Sequence, residues 1–183
     1  MRPAPGATQG APATAPGRPT EPDKHAIGRS RGGPTTKIHL ACDGAGRPLS
    51  LVLTGGNVND CTMFTEVMAG IRLPRRGGGR PRTRPERVIA DKGYSSRAIR
   101  NHLRRRGISH TIPERRDQRA NRQRRGSAGG RPPAFDPAIY KRRNIVERCF
   151  NDLKRYRAIA TRYDKTALSY LGMLHTATLL MWL

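Results

Sequence analysis

The alternation of apolar and polar positions divides much of the chain into short segments with recognisable periods. From Thr35 to Cys42 the residues are β-rich and alternate, Asp43-Gly-Ala-Gly46 is turn material, and Leu49 to Thr54 is a second apolar run. Two such runs joined by a glycine turn predict a β-hairpin with Asp43 as a turn residue. Gly55-Gly-Asn-Val-Asn-Asp60 breaks the second strand. Asp60 then stands at the N-cap of a short helix over Thr62 to Ala69, so capping is its expected role. Downstream, Arg87-Val-Ile-Ala90 is a short apolar strand ending in Asp91-Lys-Gly-Tyr94. Ser95 or Ser96 caps a helix running to Arg106, Gly107 ends it, and Ile108 to Ile112 predicts a further strand.

A helix over Asp136 to Lys154 carries two stripes. With successive residues about 100° apart, Tyr140, Arg143, Glu147 and Lys154 fall within one arc of roughly 60°. Ile145, Val146, Cys149, Phe150 and Leu153 form a separate apolar stripe suited to burial. Asp136 is placed to cap the helix, Pro137 costs nothing at its first position, and Phe135 and Tyr140 occupy the two staple positions. The polar arc reads two ways. It is either a solvated face with ordinary ion pairs, or a rigid element holding the carboxylate of Glu147 among cations for chemistry on an anionic substrate. Asp91 is open in the same sense: ligands bind beyond the carboxyl ends of strands in open α/β sheets, and a turn or capping Asp takes the same place.

The remaining segments lack a period. Residues 1–22 are Pro- and Ala-rich, and are expected to be disordered because they cannot bury enough apolar surface to offset the entropy of ordering. Gly28-Arg-Ser-Arg-Gly-Gly33 is a basic glycine-rich loop able to approach phosphate. Leu73 to Arg87 reads as a Pro, Gly and Arg linker, Arg115 to Pro133 as a mobile, strongly cationic run, and Arg155 to Asp164 as a basic connection. The closing run from Thr166 to Leu183 is apolar, but Ser169, Gly172, His175, Thr176 and Thr178 interrupt it, which predicts a core helix and no membrane anchor. The expectation is one α/β domain over residues 23–183, with mobile basic segments near 73–87 and 115–133.

Charge narrows the partners. Lys+Arg total 36 against 13 Asp+Glu, a formal net charge of +23, and the sequence pI is about 11.6. A compact domain tolerates such self-repulsion best beside a polyanion, and nucleic acid is the first candidate. Most of the cations are Arg, whose planar fork suits phosphate. Aromatics make up only 5% of the chain, so base-stacking platforms are sparse and phosphate contact is the expected mode. Cys42, Cys61 and Cys149 form no C-x-x-C pair, and with no secretion signal they are read as reduced thiols of a cytosolic protein without a zinc site.

The spacing Tyr140-x2-Arg143-x3-Glu147-x6-Lys154 resembles the signature of bacterial insertion-sequence transposases of the DDE type, in the insertion-sequence-four and insertion-sequence-five groups. Further stretches are similar to the same family: His25 to Gly33, Thr35-Thr-Lys-Ile-His39, Ile89-Ala-Asp-Lys-Gly-Tyr94, Asn144-Ile-Val-Glu-Arg-Cys-Phe150 and Ala160-Thr-Arg-Tyr-Asp-Lys-Thr166. The resemblance implies an RNase H-like fold, a mixed sheet flanked by helices, in which two aspartates and a glutamate surround two divalent metals, Mg²⁺ or Mn²⁺. Carried over by position, Asp91 is the second metal-binding aspartate and Glu147 the glutamate. Arg143 and Lys154 would hold phosphates beside the cleavage site, and Tyr140 would pack or hydrogen-bond near the scissile end. Lys92, Arg29 and Arg31 are further phosphate candidates, from charge and proximity in sequence. The implied function is DNA transposition by metal-dependent cleavage and strand transfer. Its partners would be double-stranded DNA at the transposon ends and target DNA, in the bacterial cytoplasm at the nucleoid.

The family places its first metal-binding aspartate on a first strand upstream of the stretch matched by His25 to Gly33. Here that region is Pro/Ala-rich, and neither Glu21 nor Asp23 lies in an apolar run. The chain is therefore expected to lack the first strand, to be a truncated or second-reading-frame product, and to hold two of three metal carboxylates. A sheet missing a neighbour leaves an exposed edge, so homo-oligomerisation or pairing with an upstream-frame product is expected. A non-catalytic basic DNA-binding protein or transposition regulator is the alternative.

Overall fold

A computed structural model describes residues 22–183 of the chain. Apart from Pro22, the segment 1–22 expected to be disordered lies outside the described residues.

The predicted hairpin forms, with β2 (Gly33–Cys42) antiparallel to β3 (Pro48–Gly55) from Thr36↔Gly55 to Cys42↔Pro48. Asp43 closes its turn: Oδ1 accepts from the amides of Ala45 and Arg47, both at 2.9 Å, and Oδ2 takes a two-pronged bond from the Arg47 guanidinium. A short β1 (Gly28–Ser30) pairs with Gly33–Thr35 at the start of β2. Gly28 packs so closely on Gly55 that a Cβ there would stand 2.9 Å from the Gly55 Cα, so β1 continues the line of β3 along the same edge of β2. Each residue of β2 thus has a cross-strand partner on one side only. Its second edge carries no strand among the described residues.

The second sheet is β4 (Arg87–Ile89) parallel to β5 (Ser109–Thr111), with α2 (Arg97–Arg105) in the crossover, as parallel pairing requires. Ser96 caps α2 by accepting from the Ile99 amide at 3.1 Å, and Gly107 turns out of it at φ +62°. The single mixed sheet expected from the sequence is therefore present as two small sheets, one antiparallel and one parallel. They stay apart because nothing among the described residues bridges the free edges of β2 and β4.

Helix α1 (Phe64–Ala69) follows a 3-10 turn over Asp60–Met63. Its cap differs from expectation. Asn59 takes the capping role, accepting from the Cys61 amide at 3.1 Å, which leaves the Asp60 carboxylate free to face β2. Inside the basic stretch 115–133, Arg116–Arg124 forms α3, which hydrophobic patterning does not announce because no residue of it is buried. Polar clamps hold it: the Ser95 hydroxyl donates to Gln118 at 2.7 Å, and Arg122 grips Glu114 at 2.7 and 3.2 Å.

The helix expected over Asp136 to Lys154 is divided into α4 (Pro137–Tyr140), a tightened 3-10 turn (Lys141–Arg143) and α5 (Asn144–Lys154). Backbone angles stay right-handed helical through the join, so the polar face largely survives. Asp136 caps through bonds from Ala138 and Ile139 at 2.9 and 3.0 Å, and the Phe135 and Tyr140 rings staple the start with centroids 5.2 Å apart. After α6 (Arg157–Ala160), Thr166 caps α7 (Ala167–Leu180).

Two apolar cores result. Leu53, Leu153, Ile159, Tyr170 and Leu174 join β3, α5, α6 and α7. Phe64, Met68, Ile99, Leu103 and Ile112 join α1, α2 and the segment just after β5. No helix among the described residues is long and apolar enough to cross a membrane.

Candidate functional site

Asp91 and Arg143 meet at the seam between the two cores, in a cavity whose lining residues do not include Glu147. This cavity, of about 230 Å³, separates β2, at Leu40 to Cys42, from β4, at Arg87 to Ile89, and Asp60, Asp91, Tyr94 and Arg143 also line it. Asp91 leaves β4 one residue beyond Ala90 and caps a 3-10 turn over Lys92–Tyr94, with Oδ1 accepting from the Gly93 amide at 2.8 Å. One oxygen is thus fixed by the turn, and the other takes no hydrogen bond from a described residue. Asp91 thus caps the turn and also lines the cavity.

On α5 the polar face assembles as its spacing predicts. Arg143 donates to Glu147 Oε1 at 2.6 Å across one helical turn, and its guanidinium stands 6.0 Å from the Tyr140 ring. The hydrogen bond to Glu147, followed by the fields of Glu147, Tyr140 and Asp91, raises the pKa of Arg143. One guanidinium therefore sits in the field of both Asp91 and Glu147. Lys154 closes α5, exposed and without an ion pair among the described residues. Lys92 is exposed beside Asp91. Arg29 lies on β1 and Arg31 in the turn after it, both exposed, and neither lines the cavity that holds Asp91.

Asp60 was assigned to capping by its sequence position, and its place in the cavity is the main feature that patterning misses. Its Oδ1 stands 3.4 Å from both Lys37 Nζ and His39 Nδ1. The signal lies in β2, where Lys37 and His39 are two apart and so share one face of the strand. His39 is only 3% exposed and its Nε2 pairs with Thr54 Oγ1 at 2.7 Å. Burial lowers the His39 pKa, outweighing the opposite pull of Asp60. Tyr94, across the cavity, is pushed up to about 12 by burial and then by Asp60 and Asp91.

A divalent cation prefers hard oxygen donors, and Asp91 and Glu147 offer them. Among the described residues, however, no three His, Cys, Asp or Glu side chains gather closely enough to form a ligand set. The donor chemistry of Asp91 and Glu147 fits a hard cation.

Comparison with known proteins identifies the family. A family model described as "Transposase DDE domain" matches residues 9–182. A protein of Brucella ovis named for the transposase of insertion sequence element IS6501 is 33% identical over 149 residues, covering 81% of this chain and 98% of that relative. One of Burkholderia cepacia, named for the transposase of IS402, is 36% identical over 137 residues, covering 75% of this chain and 57% of that relative, so the chain spans little more than half of its length. No solved structure matches the chain. With nearly its whole length matched, the chain belongs to the DDE-domain transposase family of insertion sequences.

Proposed function

We propose that the chain carries part of the catalytic centre for DNA strand cleavage and strand transfer at insertion-sequence ends, on an RNase H-like framework of the Tyr-Arg-Glu-Lys type. The observation that carries this reading is Arg143, bonded to Glu147 at 2.6 Å and lining the same cavity as Asp91. Asp91 and Glu147 are the residues that would hold Mg²⁺ or Mn²⁺. A bound divalent ion would supply a more acidic water or 3′-hydroxyl and a countercharge for the leaving oxygen. Arg143, bonded to Glu147, would bind a phosphodiester oxygen through its guanidinium fork, and Lys154 and Lys92 would steady neighbouring phosphates. Tyr140, whose ring centroid stands 6.0 Å from that guanidinium, would pack or hydrogen-bond near the scissile end. Arg29 and Arg31, on a separate hairpin, would act only as outlying contacts to the duplex.

The third carboxylate would come from a further strand beside the free edges of β2 and β4. On this reading the chain is the downstream part of a shortened or split transposase, completed by an upstream-frame product or by oligomerisation. The second reading is a non-catalytic DNA-binding regulator, favoured by the lack of a gathered ligand set among the described residues. A divalent-dependent strand-transfer assay on DNA carrying the element's ends separates them. Activity that appears only when the upstream product is added, and disappears with Asp91→Asn or Glu147→Gln, supports the split enzyme. Robust cleavage by the chain alone overturns the missing-carboxylate reading. DNA binding without cleavage under either condition, indifferent to both substitutions, leaves the regulator.

A further inference from the structure

On the far side of β4 from Asp91 lies an open groove of about 980 Å³, lined by Arg87, Arg100, Arg104, His110 and Arg131, with no Asp or Glu among its lining residues. It is walled by α2, the start of β5 and the segment from Arg131 to Ala134. The composition of the chain makes arginines common, so their number alone decides little. What decides is the state of Arg100. This side chain is 7% exposed, its Nη2 donates to Ser95 Oγ at 3.0 Å and to the Ile112 carbonyl at 2.9 Å, and its Nη1 is buried with no hydrogen-bond partner.

A buried cation is costly to the fold unless an anion compensates it. The carboxylate whose field reaches Arg100 is Glu114, and Glu114 is already gripped through both oxygens by Arg122. Arg87 and Arg104 make only neutral bonds, to Thr111 and Asn101 and to the Arg100 carbonyl, and Arg131 has no ion pair or hydrogen bond among the described residues. Four arginines therefore line a groove whose lining holds no carboxylate.

We infer that this groove is a second anion site, which grips backbone phosphates of the duplex flanking the cleavage point. The inference rests on the transposase reading for its substrate. Guanidinium forks match phosphate oxygens in pairs, and the groove offers no Phe, Tyr or Trp on which a base would stack, so it holds backbone without reading sequence. Arg87 and Asp91 are four residues apart at the end of an extended strand, about 13 Å, equivalent to about four base pairs of helical rise. The groove thus takes phosphates a few base pairs from the scissile bond.

The test is fluorescence anisotropy of a labelled duplex carrying the element's end, titrated with the full chain over a series of salt concentrations. Arg104→Ala/Arg131→Ala removes two exposed lining cations and leaves buried Arg100 in place, Arg131→Glu alone reverses one charge in a loop, and Arg157→Ala on α6 controls for net charge. The double variant is expected to bind at least about tenfold more weakly, with the slope of log affinity against log salt reduced by about two, whereas Arg157→Ala changes affinity less than about twofold. Arg131→Glu is expected to weaken binding more than Arg157→Ala does. Wild-type binding with an unchanged slope in both groove variants overturns the groove and leaves the transposase reading standing. A wild-type chain that does not bind duplex overturns both.

Discussion

Arg143 donates to Glu147 at 2.6 Å across a single turn and occupies with its own charge the place where a divalent ion would neutralise Glu147. The pair is partly exposed, and such a pair is worth at most about 1 kcal/mol. Removing the guanidinium should therefore release the carboxylate without unfolding the helix. Arg143→Ala is expected to bind Mn²⁺ up to about fivefold more tightly than wild type, which is the same 1 kcal/mol read as an equilibrium ratio. Its thermal midpoint should stay close to wild type. Glu147→Gln should weaken Mn²⁺ binding. Calorimetric or paramagnetic Mn²⁺ titration of the three proteins checks this, and three equal affinities would remove Glu147 from the metal-binding set.

The hairpin, α2, β5, α7 and the capped start of α4 were legible because each carries a local signal: alternation, a cap, a glycine stop. Asp91 and Glu147 were legible as candidates for the same reason, one at a strand end and the other on a striped helix. Asp60 was not, because its partners Lys37 and His39 are more than twenty residues away and Asn59 competes for the cap. Helix α3 was hidden because no apolar face draws it in, and its anchor is the side chain of Gln118 on Ser95. The groove around Arg100 also escapes a one-dimensional reading, since an Arg on α2 looks the same whether its guanidinium is solvated or buried.

Acid should destabilise the fold before its carboxylates begin to protonate. His39 is held below its ordinary value of 6.5, and burial also lowers His102 and His110. With a depressed folded-state value, the unfolded chain binds more protons as pH falls through 6.5, so stability present above that value is lost below it. Urea midpoints should fall between about pH 7.5 and pH 5.5, and His39→Gln should flatten part of that fall. A midpoint constant across this range in wild type would show that the buried imidazoles accept protons without cost. Asp43 and Glu114 act at lower pH. Burial alone would raise Asp43, but bonds from Arg47 and Ala45 hold it low, while its bond from Arg122 lowers Glu114, so their contributions are lost only as pH falls into the carboxylate range.

Arg162 ties the C-terminal motif to the first strands. Its guanidinium donates to the His25 carbonyl at 2.9 Å and to Thr36 Oγ1, its Nε bonds the Asp164 carbonyl at 3.0 Å, and it stacks on Tyr170 at 5.3 Å. Hydrogen bonds from a charged group contribute about 1.5–3 kcal/mol, so Arg162→Ala should cost about 2–3 kcal/mol after partial replacement by water. Arg162→Lys should recover little, because a point charge does not span these acceptors as a planar fork does. Urea denaturation of both variants measures the loss. A Lys variant as stable as wild type would reduce the role of Arg162 to charge alone.

The thiols of Cys42, at the end of β2, and Cys149, on α5, influence each other: Cys149 lowers the pKa of Cys42, while Cys42 and then burial raise that of Cys149. Cys149 is 1% exposed, whereas Cys42 and Cys61 are partly open to solvent. Thiolate is the reactive form, so exposure and pKa both favour Cys42 over Cys149. Alkylation of the native protein followed by mass spectrometry should label Cys42 and Cys61 and spare Cys149 until denaturant is added. The pair joins the free-edged strand β2 to the helix bearing Glu147. If a metal or a completing strand orders this seam, its addition should slow labelling of Cys42, which lines the cavity, more than that of Cys61, which does not. Equal slowing of both would indicate global stabilisation, and no slowing would place the added component elsewhere on the surface.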